Sequence, residues 1–405
     1  MRFSLLLLCF CSLFTSLVFS QSFEGSVRDS VTHQPVPFVH IYNSALQMGT
    51  ITNEEGNFLF NGNGEKAMEV TISHISFKSK KLTLSQNKVT VVNLVPNIFV
   101  LDEITVNDNG YKIARSLFDK FNTRQSVNFG KAYYRQVTIT DKTPSEFLEM
   151  FNDISFSATG IEKSDIYESR YARSKDSAPG HPAFHYTNFS FLTFGFQLFS
   201  LKSKSIVKPF TSDYIDLFDY TVSKHFKNNG FEYVVIQYEP SESIKAPSFS
   251  GEFTVNITKL SIVTFTATTT SSLGVDSLKL TKSENSIGVL LAQNHLYEWT
   301  FRFNDSMKDT PLESINVVSS FDLTDGSMAR KVKTKSSLVV FEKDSKGKKG
   351  LKTASIIQND VAEIKKDKYR PGFWKNNPIV KRTRFEEEAI TYFEKSNSFG
   401  NYFAK

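Results

Sequence analysis

The amino-acid sequence predicts an all-β-dominated protein, with an N-terminal β-sandwich followed by an antiparallel open sheet and few helices. Three observations carry that prediction. Val27, then Val39 and Ile41, then Phe58 and Phe60 mark short alternating strands separated by the turn clusters HQPVP and TNEEGN. Beyond residue 127 the chain reads as one strand-like segment after another, from AYYRQVTIT to ESINVVSSFDL. Its 38 phenylalanines suit half-buried pleated surfaces.

Residues 1–20 read as a cleavable export signal rather than as part of the fold. Arg2 precedes an apolar run from Leu5 to Val18, and Val18-Phe19-Ser20 offers a cleavage site before Gln21. The run is too short and wrongly flanked for a membrane span. Both cysteines, Cys9 and Cys11, lie inside it, which excludes disulfides, thiolate zinc sites and cysteine nucleophiles from the mature chain. Cys11 follows Leu8-Cys9-Phe10 rather than small residues, so lipid anchoring is not expected. The expected location is the periplasm or the outer membrane. A net charge of +6 with 22% charged residues is ordinary for this length and implies no nucleic-acid partner. No other apolar run approaches the roughly 18 residues of a spanning helix, so no transmembrane helix is expected in the mature chain.

The elements follow in order. Residues 21–98 form the sandwich, closing near Val95-Pro96. Residues 99–126 comprise a linker and an amphipathic helix. In the linker, LDEITVND (Leu101 to Asp108) reads as a last strand or a connection. In the helix, Gly110 to Gln125, residues Ile113, Leu117, Phe118 and Phe121 fall at helical spacing. Residues 127–405 form the β-rich open-sheet domain. Asn229-Gly230 marks a two-residue hairpin turn. In GEFTVNIT, Phe253, Val255 and Ile257 share one face while Glu252, Thr254, Asn256 and Thr258 share a wet one, which argues for antiparallel pairing. Thr383-Arg384-Phe385-Glu386 is a capping box that opens a helix through Phe393.

The pattern G-x-V-x-D…P-x-P-x-x-V…G-T-x-T-x-x-x-G-x-F is carried by Gly25, Val27, Asp29, Pro35, Pro37, Val39, Gly49, Thr50, Thr52, Gly56 and Phe58. It resembles the carboxypeptidase-regulatory-like domain, a transthyretin-type sandwich found at the N-terminus of envelope proteins of Bacteroidetes-type bacteria. The resemblance continues from Val70 to Leu84, with Ser76-Phe77 where the family usually has Gly-Tyr and Asn53 where it often has Asp. It implies a module without peptidase activity of its own. LDEITVND also resembles a segment of TonB-dependent receptors, but the remaining chain is too short for their barrel of some twenty strands of about 10 residues. The YYRQ strand, the GEFTVNITKLSIVTFTA hairpin and the terminal FWKNNPIVKRTRFEEEAITYFEKSNSFGNYF resemble further envelope proteins of the same bacteria. Their β-rich part looks like the curved open sheet of periplasmic lipoprotein carriers.

Candidate chemistry is sparse. His295 and Glu298 have the H-x-x-E spacing of two zinc ligands, but the segment reads as a strand, where i and i+3 point to opposite faces, and no histidine follows His295. His181 and His185 with Asp176 could meet in one loop. Ser205–Lys208 and Ser345–Lys348 match Ser-x-x-Lys, as a Ser- and Lys-rich chain will by chance. The lysine run from Glu342 to Lys352 reads as a solvated hairpin tip. No catalytic residue, metal ligand or cofactor is assigned. The best candidate binding surface is the aromatic run containing Phe189, Phe191, Phe194, Phe196 and Phe199, too many rings for one strand face. The expectation is a non-enzymatic, secreted envelope binding or assembly protein whose partner is an outer-membrane protein or an apolar ligand. A periplasmic carrier of lipid or lipoprotein, or a hydrolase with an unrecognised site, is the alternative.

Overall fold

The structure is a computed structural model that describes residues 22–97 (except 63 and 87), 109–123, 126–174, 207, 209–228, 230–270, 290–305, 310–325, 328–344, 347, 350–353, 364, 369–376 and 379–400. Seven strands build the sandwich: β1 (Ser22–Asp29), β2 (His40–Asn43), β3 (Met48–Ile51), β4 (Asn57–Asn61), β5 (Ala67–His74), β6 (Phe77–Ser85) and β7 (Thr90–Leu94). One layer runs β4-β1-β7, with β1 antiparallel to β4 and parallel to β7. The other runs β3-β2-β5-β6, antiparallel throughout. Alternate residues point inward, so Phe23, Val27, Val39, Ile41, Phe58, Val70, Ile72 and Val92 close a core of their own. Gly25 is required in the middle of its layer, because a Cβ there would lie 2.3 Å from the Thr90 carbonyl oxygen on β7 and 2.4 Å from the Phe58 ring on β4. In the TNEEGN turn the Asn53 side-chain oxygen accepts the amides of Glu55 and Asn57 at 3.0 and 2.9 Å, and Gly56 takes the left-handed φ of +73°.

A core confined to these strands predicts that residues 21–98 fold alone. Circular dichroism of that span is expected to show a cooperative β-sheet melt. A chain that stays unstructured would contradict it.

The second domain opens with α1 (Asn109–Phe121), followed by β8 (Asn128–Thr140), β9 (Thr143–Ser157), β10 (Gly160–Arg173), β11 (Phe218–Asn228), β12 (Phe231–Pro240), β13 (Phe249–Asn256), β14 (Ser261–Thr269), β15 (Leu290–Phe303), β16 (Leu312–Asp325), β17 (Met328–Asp344) and the short β18 (Lys352–Thr353). Their order across the sheet is β11-β12-β13-β14-β15-β16-β17-β8-β9-β10-β18, antiparallel at every step. The β11–β12 hairpin turns between Asn228 and Phe231, with Gly230 at φ +80°.

Inward-facing rings fill one side of this sheet. Phe253 lies 5.2 Å from Phe210 and 6.3 Å from Phe265, and Tyr238 stacks on Phe265 at 5.6 Å. The apolar face of α1 (Ala114, Leu117, Phe118) packs into the same core. The helix ends at Phe121 rather than Gln125. Thr123 closes it by turning both its amide and its hydroxyl onto the Lys120 carbonyl, at 3.1 and 2.6 Å. In β13, Phe253 and Val255 face the core as expected, but Thr254 and Asn256 are buried rather than wet. The Thr264 hydroxyl donates to Thr254, and Asn256 donates to Asp305 at 2.9 Å. Nearby on the same outer side, Ile75 of the sandwich packs against a cluster of Phe226, Tyr233, Val235 and Val263.

The C-terminal segment packs on another part of that outer face. The one-and-a-half-turn helix α2 (Pro371–Asn376) and α3 (Arg384–Lys395) lie over β8, β9 and β10. Both halves of the capping box at Thr383 and Glu386 are formed.

Candidate functional site

Contacts to the open sheet and to the C-terminal segment seat the sandwich. Met48 of β3 bridges Glu342 of β17, and the Lys343 amide donates to Gln47 at 3.1 Å. Thr50 donates to the Ile379 carbonyl at 2.9 Å. Glu24 pairs with Lys381 at 3.1 Å and Glu54 with Lys335 at 2.7 Å, while Glu55 accepts the Arg384 amide at the start of α3. The fit is incomplete. Among the described residues, two clefts of about 510 and 520 Å³ lie along the seam, beside a far smaller pocket of about 20 Å³ at His40 and Glu313. The two clefts suit a small ligand or a few residues of chain.

Arg302 and Thr300 of β15 line both clefts. The Arg302 guanidinium carbon lies 4.4 Å from the Phe38 ring centroid, a cation–π contact across the seam. The guanidinium makes no hydrogen bond or salt bridge with any described residue, and its Nη1 is buried without a partner. Burial pushes its pKa down to about 10, against a partial opposing pull from Glu313. Glu313 itself is engaged by His40 at 2.6 Å.

Polar side chains without partners surround it. Ser314 stands directly across from Arg302 on β16, with a fully buried, unpaired hydroxyl. Asn316, opposite Thr300, and Asn53, in the sandwich turn, line the larger cleft and each leave Nδ2 unpaired among the described residues. Phe38, Ile51, Val318, Val380 and Phe385 supply apolar wall. In the smaller cleft, Asp305 accepts Tyr233 and Asn256 at 2.5 and 2.9 Å and pairs with Lys259 at 3.3 Å.

Beside the seam lies a buried charge node. Glu149, fully buried on β9, pairs with Arg135 at 2.9 Å and Arg170 at 2.5 Å, with Arg382 at 3.7 Å, and accepts the Tyr133 hydroxyl. Burial alone would raise its carboxyl pKa, but the Arg170, Arg382 and Arg135 charges overcome that and hold it well below the usual carboxylate range. Arg135 also binds Glu386 and the Val380 carbonyl, each at 3.0 Å, and Arg170 stacks on Trp374 at 4.9 Å. The node therefore ties the C-terminal segment to the sheet and fixes one wall of the larger cleft.

The sequence-predicted candidates fare unevenly. Phe189, Phe191, Phe194, Phe196 and Phe199 lie outside the described residues, as do His181, His185, Asp176, Ser205, Lys208, Ser345, Lys348 and the segment 101–108. His295 stacks on Tyr297 at 4.5 Å on the inward face of β15, whereas Glu298 lies on the opposite face and lines the larger cleft. The two cannot hold one ion together. Among the described residues no group of three or more His, Cys, Asp or Glu side chains could hold a metal ion, and no helix is long and apolar enough to cross a membrane. Arg302 escaped sequence reading, because WTFRF looks like an ordinary strand with a solvated arginine.

His74, in the smaller cleft, and His295 are both held neutral by burial, with pKa values lowered to about 4. A histidine depressed in the folded state contributes stability above its ordinary value of 6.5 and loses it as pH falls toward the folded value. The melting temperature is therefore expected to fall between pH 6.5 and 4. The double variant His74→Gln, His295→Gln should flatten that part of the profile. An unchanged slope would show that these rings are solvated.

Residues 23–106 match the CarboxypepD_reg-like domain family, so the N-terminal sandwich is a carboxypeptidase-regulatory-like domain. A search of curated proteins finds no match. Among solved structures, a candidate carbohydrate binding protein from Bacteroides uniformis aligns over 37% of this chain and 99% of its own at 8% identity, with a TM-score of 0.17. A DUF1329 family protein from Desulfovibrio piger aligns over 59% of this chain and 94% of its own at 9% identity, with a TM-score of 0.19. At these scores neither likeness bears on fold or function.

Proposed function

We propose that this protein is an exported, non-enzymatic binding protein of the bacterial envelope, and that its ligand or partner occupies the seam between the regulatory-like sandwich and the open sheet. The observation that carries this reading is the unpaired Arg302 guanidinium shared by the two clefts. A buried cation and buried amides without partners cost free energy in the empty state, and a ligand that pairs them recovers it. The signal-like residues 1–20 support export to the periplasm or the outer membrane. The sandwich type, a module rather than a peptidase, supports a binding role.

Site-directed photocrosslinking in the native envelope tests this. A photoreactive side chain at Ser337, on the wall of the larger cleft, is expected to give a discrete adduct. The same group at Glu65, on the exposed side of the sandwich, should not. Equal labelling at both positions, or none at Ser337, would contradict a seam site. Turnover of an envelope substrate abolished by seam substitutions would contradict the non-enzymatic reading.

A further inference from the structure

We infer that the seam recognises the extended carboxy-terminal end of a polypeptide, with its terminal carboxylate on Arg302. The inference rests on the seam being the binding site. Three unpaired groups on the cleft walls point to the ligand chemistry: Arg302 Nη1 and the Nδ2 atoms of Asn316 and Asn53. All three donate, so the ligand that satisfies them is rich in acceptors. The single unpaired guanidinium calls for one negative charge, and a planar carboxylate matches its fork in a bidentate pair. A dianion such as phosphate fits less well. Glu313 lies close enough to act on Arg302, and Glu54, Glu55 and Glu298 line the larger cleft.

Strand register gives the second acceptor its place. Arg302 opposes Ser314 and Thr300 opposes Asn316, so the two rows are successive same-face rows of one sheet. Same-face positions on a strand repeat at about 6.6 Å, the two-residue rise, which is also the repeat of same-side carbonyls in an extended peptide. A chain lying along β15 and β16 with its carboxylate at Arg302 brings a main-chain carbonyl to Asn316. Its side chains meet Phe38, Ile51 and Val318. A free small acid shares the carboxylate but lacks the second acceptor.

The test uses the full mature chain and three probes: a pool of N-acetylated tetrapeptides ending in Val, Leu or Phe with free carboxylates, the same pool amidated, and propionate. Binding is read by native mass spectrometry and by the rise in melting temperature. The free-carboxylate pool is expected to bind and stabilise the protein, with amidation weakening binding at least tenfold and propionate bound far more weakly than the peptides. Arg302→Lys, which keeps the charge and loses the fork, should weaken binding about tenfold, and Asn316→Ala should weaken it several-fold. Both variants should keep the wild-type melting temperature within a few degrees. Equal binding of amidated peptides, binding unaffected by Arg302→Lys, or propionate binding as tightly as the peptides would each overturn the proposal. So would no binding of any probe. If the Ser337 adduct forms while these peptides fail to bind, the seam stands and the peptide terminus falls. If both fail, the seam reading falls too.

Discussion

Glu149→Gln is expected to lower stability by about 3–5 kcal/mol, because it removes the fully buried carboxylate that Arg135, Arg170 and Arg382 share. Glu386→Gln, at the more exposed end of the same network, should cost about 1 kcal/mol. Chemical denaturation monitored by Trp fluorescence would measure both. Limited proteolysis should show the C-terminal segment released first in Glu149→Gln. The carboxyl is depressed in the folded state, so its contribution is present above the ordinary carboxylate value of 4.5 and is lost as pH falls below it. Acid should therefore narrow the gap between wild type and Glu149→Gln. A loss under 1 kcal/mol at neutral pH would mean that water, not Glu149, satisfies the arginines.

Phe253→Ala should cost a similar 3–5 kcal/mol, by removing a fully buried ring from the centre of the inward-facing aromatic cluster. This variant also bears on the carrier alternative. If the inner side of the sheet is packed by α1 and its own rings, the truncated protein melts lower and wild type takes up no apolar dye. A small loss of stability together with dye uptake by wild type would instead show an apolar cavity on that side.

Much of the scaffold was legible in the sequence because its signals are local. The alternation through Val27, Val39, Ile41 and Phe58, the hairpin turn at Gly230, the helical spacing of Leu117 and Phe118 and the Thr383–Glu386 capping box each depend on residues within a turn or a strand of one another. The seam was not legible. Whether an outward-facing residue is wet depends on what covers that face, and the sandwich that shares the seam with Arg302 is hundreds of residues away in sequence. The same reason explains Thr254 and Asn256, read as solvated and found buried. Arg135 and Glu149 stood in plain view in YYRQ and FLEM, yet their partners Val380, Arg382 and Glu386 come from the far end of the chain.

The most direct test of the seam as the binding site is a crystal structure of the protein purified from its native envelope without denaturation. Ligand density is expected between the sandwich and the open sheet, within hydrogen-bond reach of Arg302 and Asn316. A ligand found on the inner side of the sheet, with only water around Arg302, would contradict it.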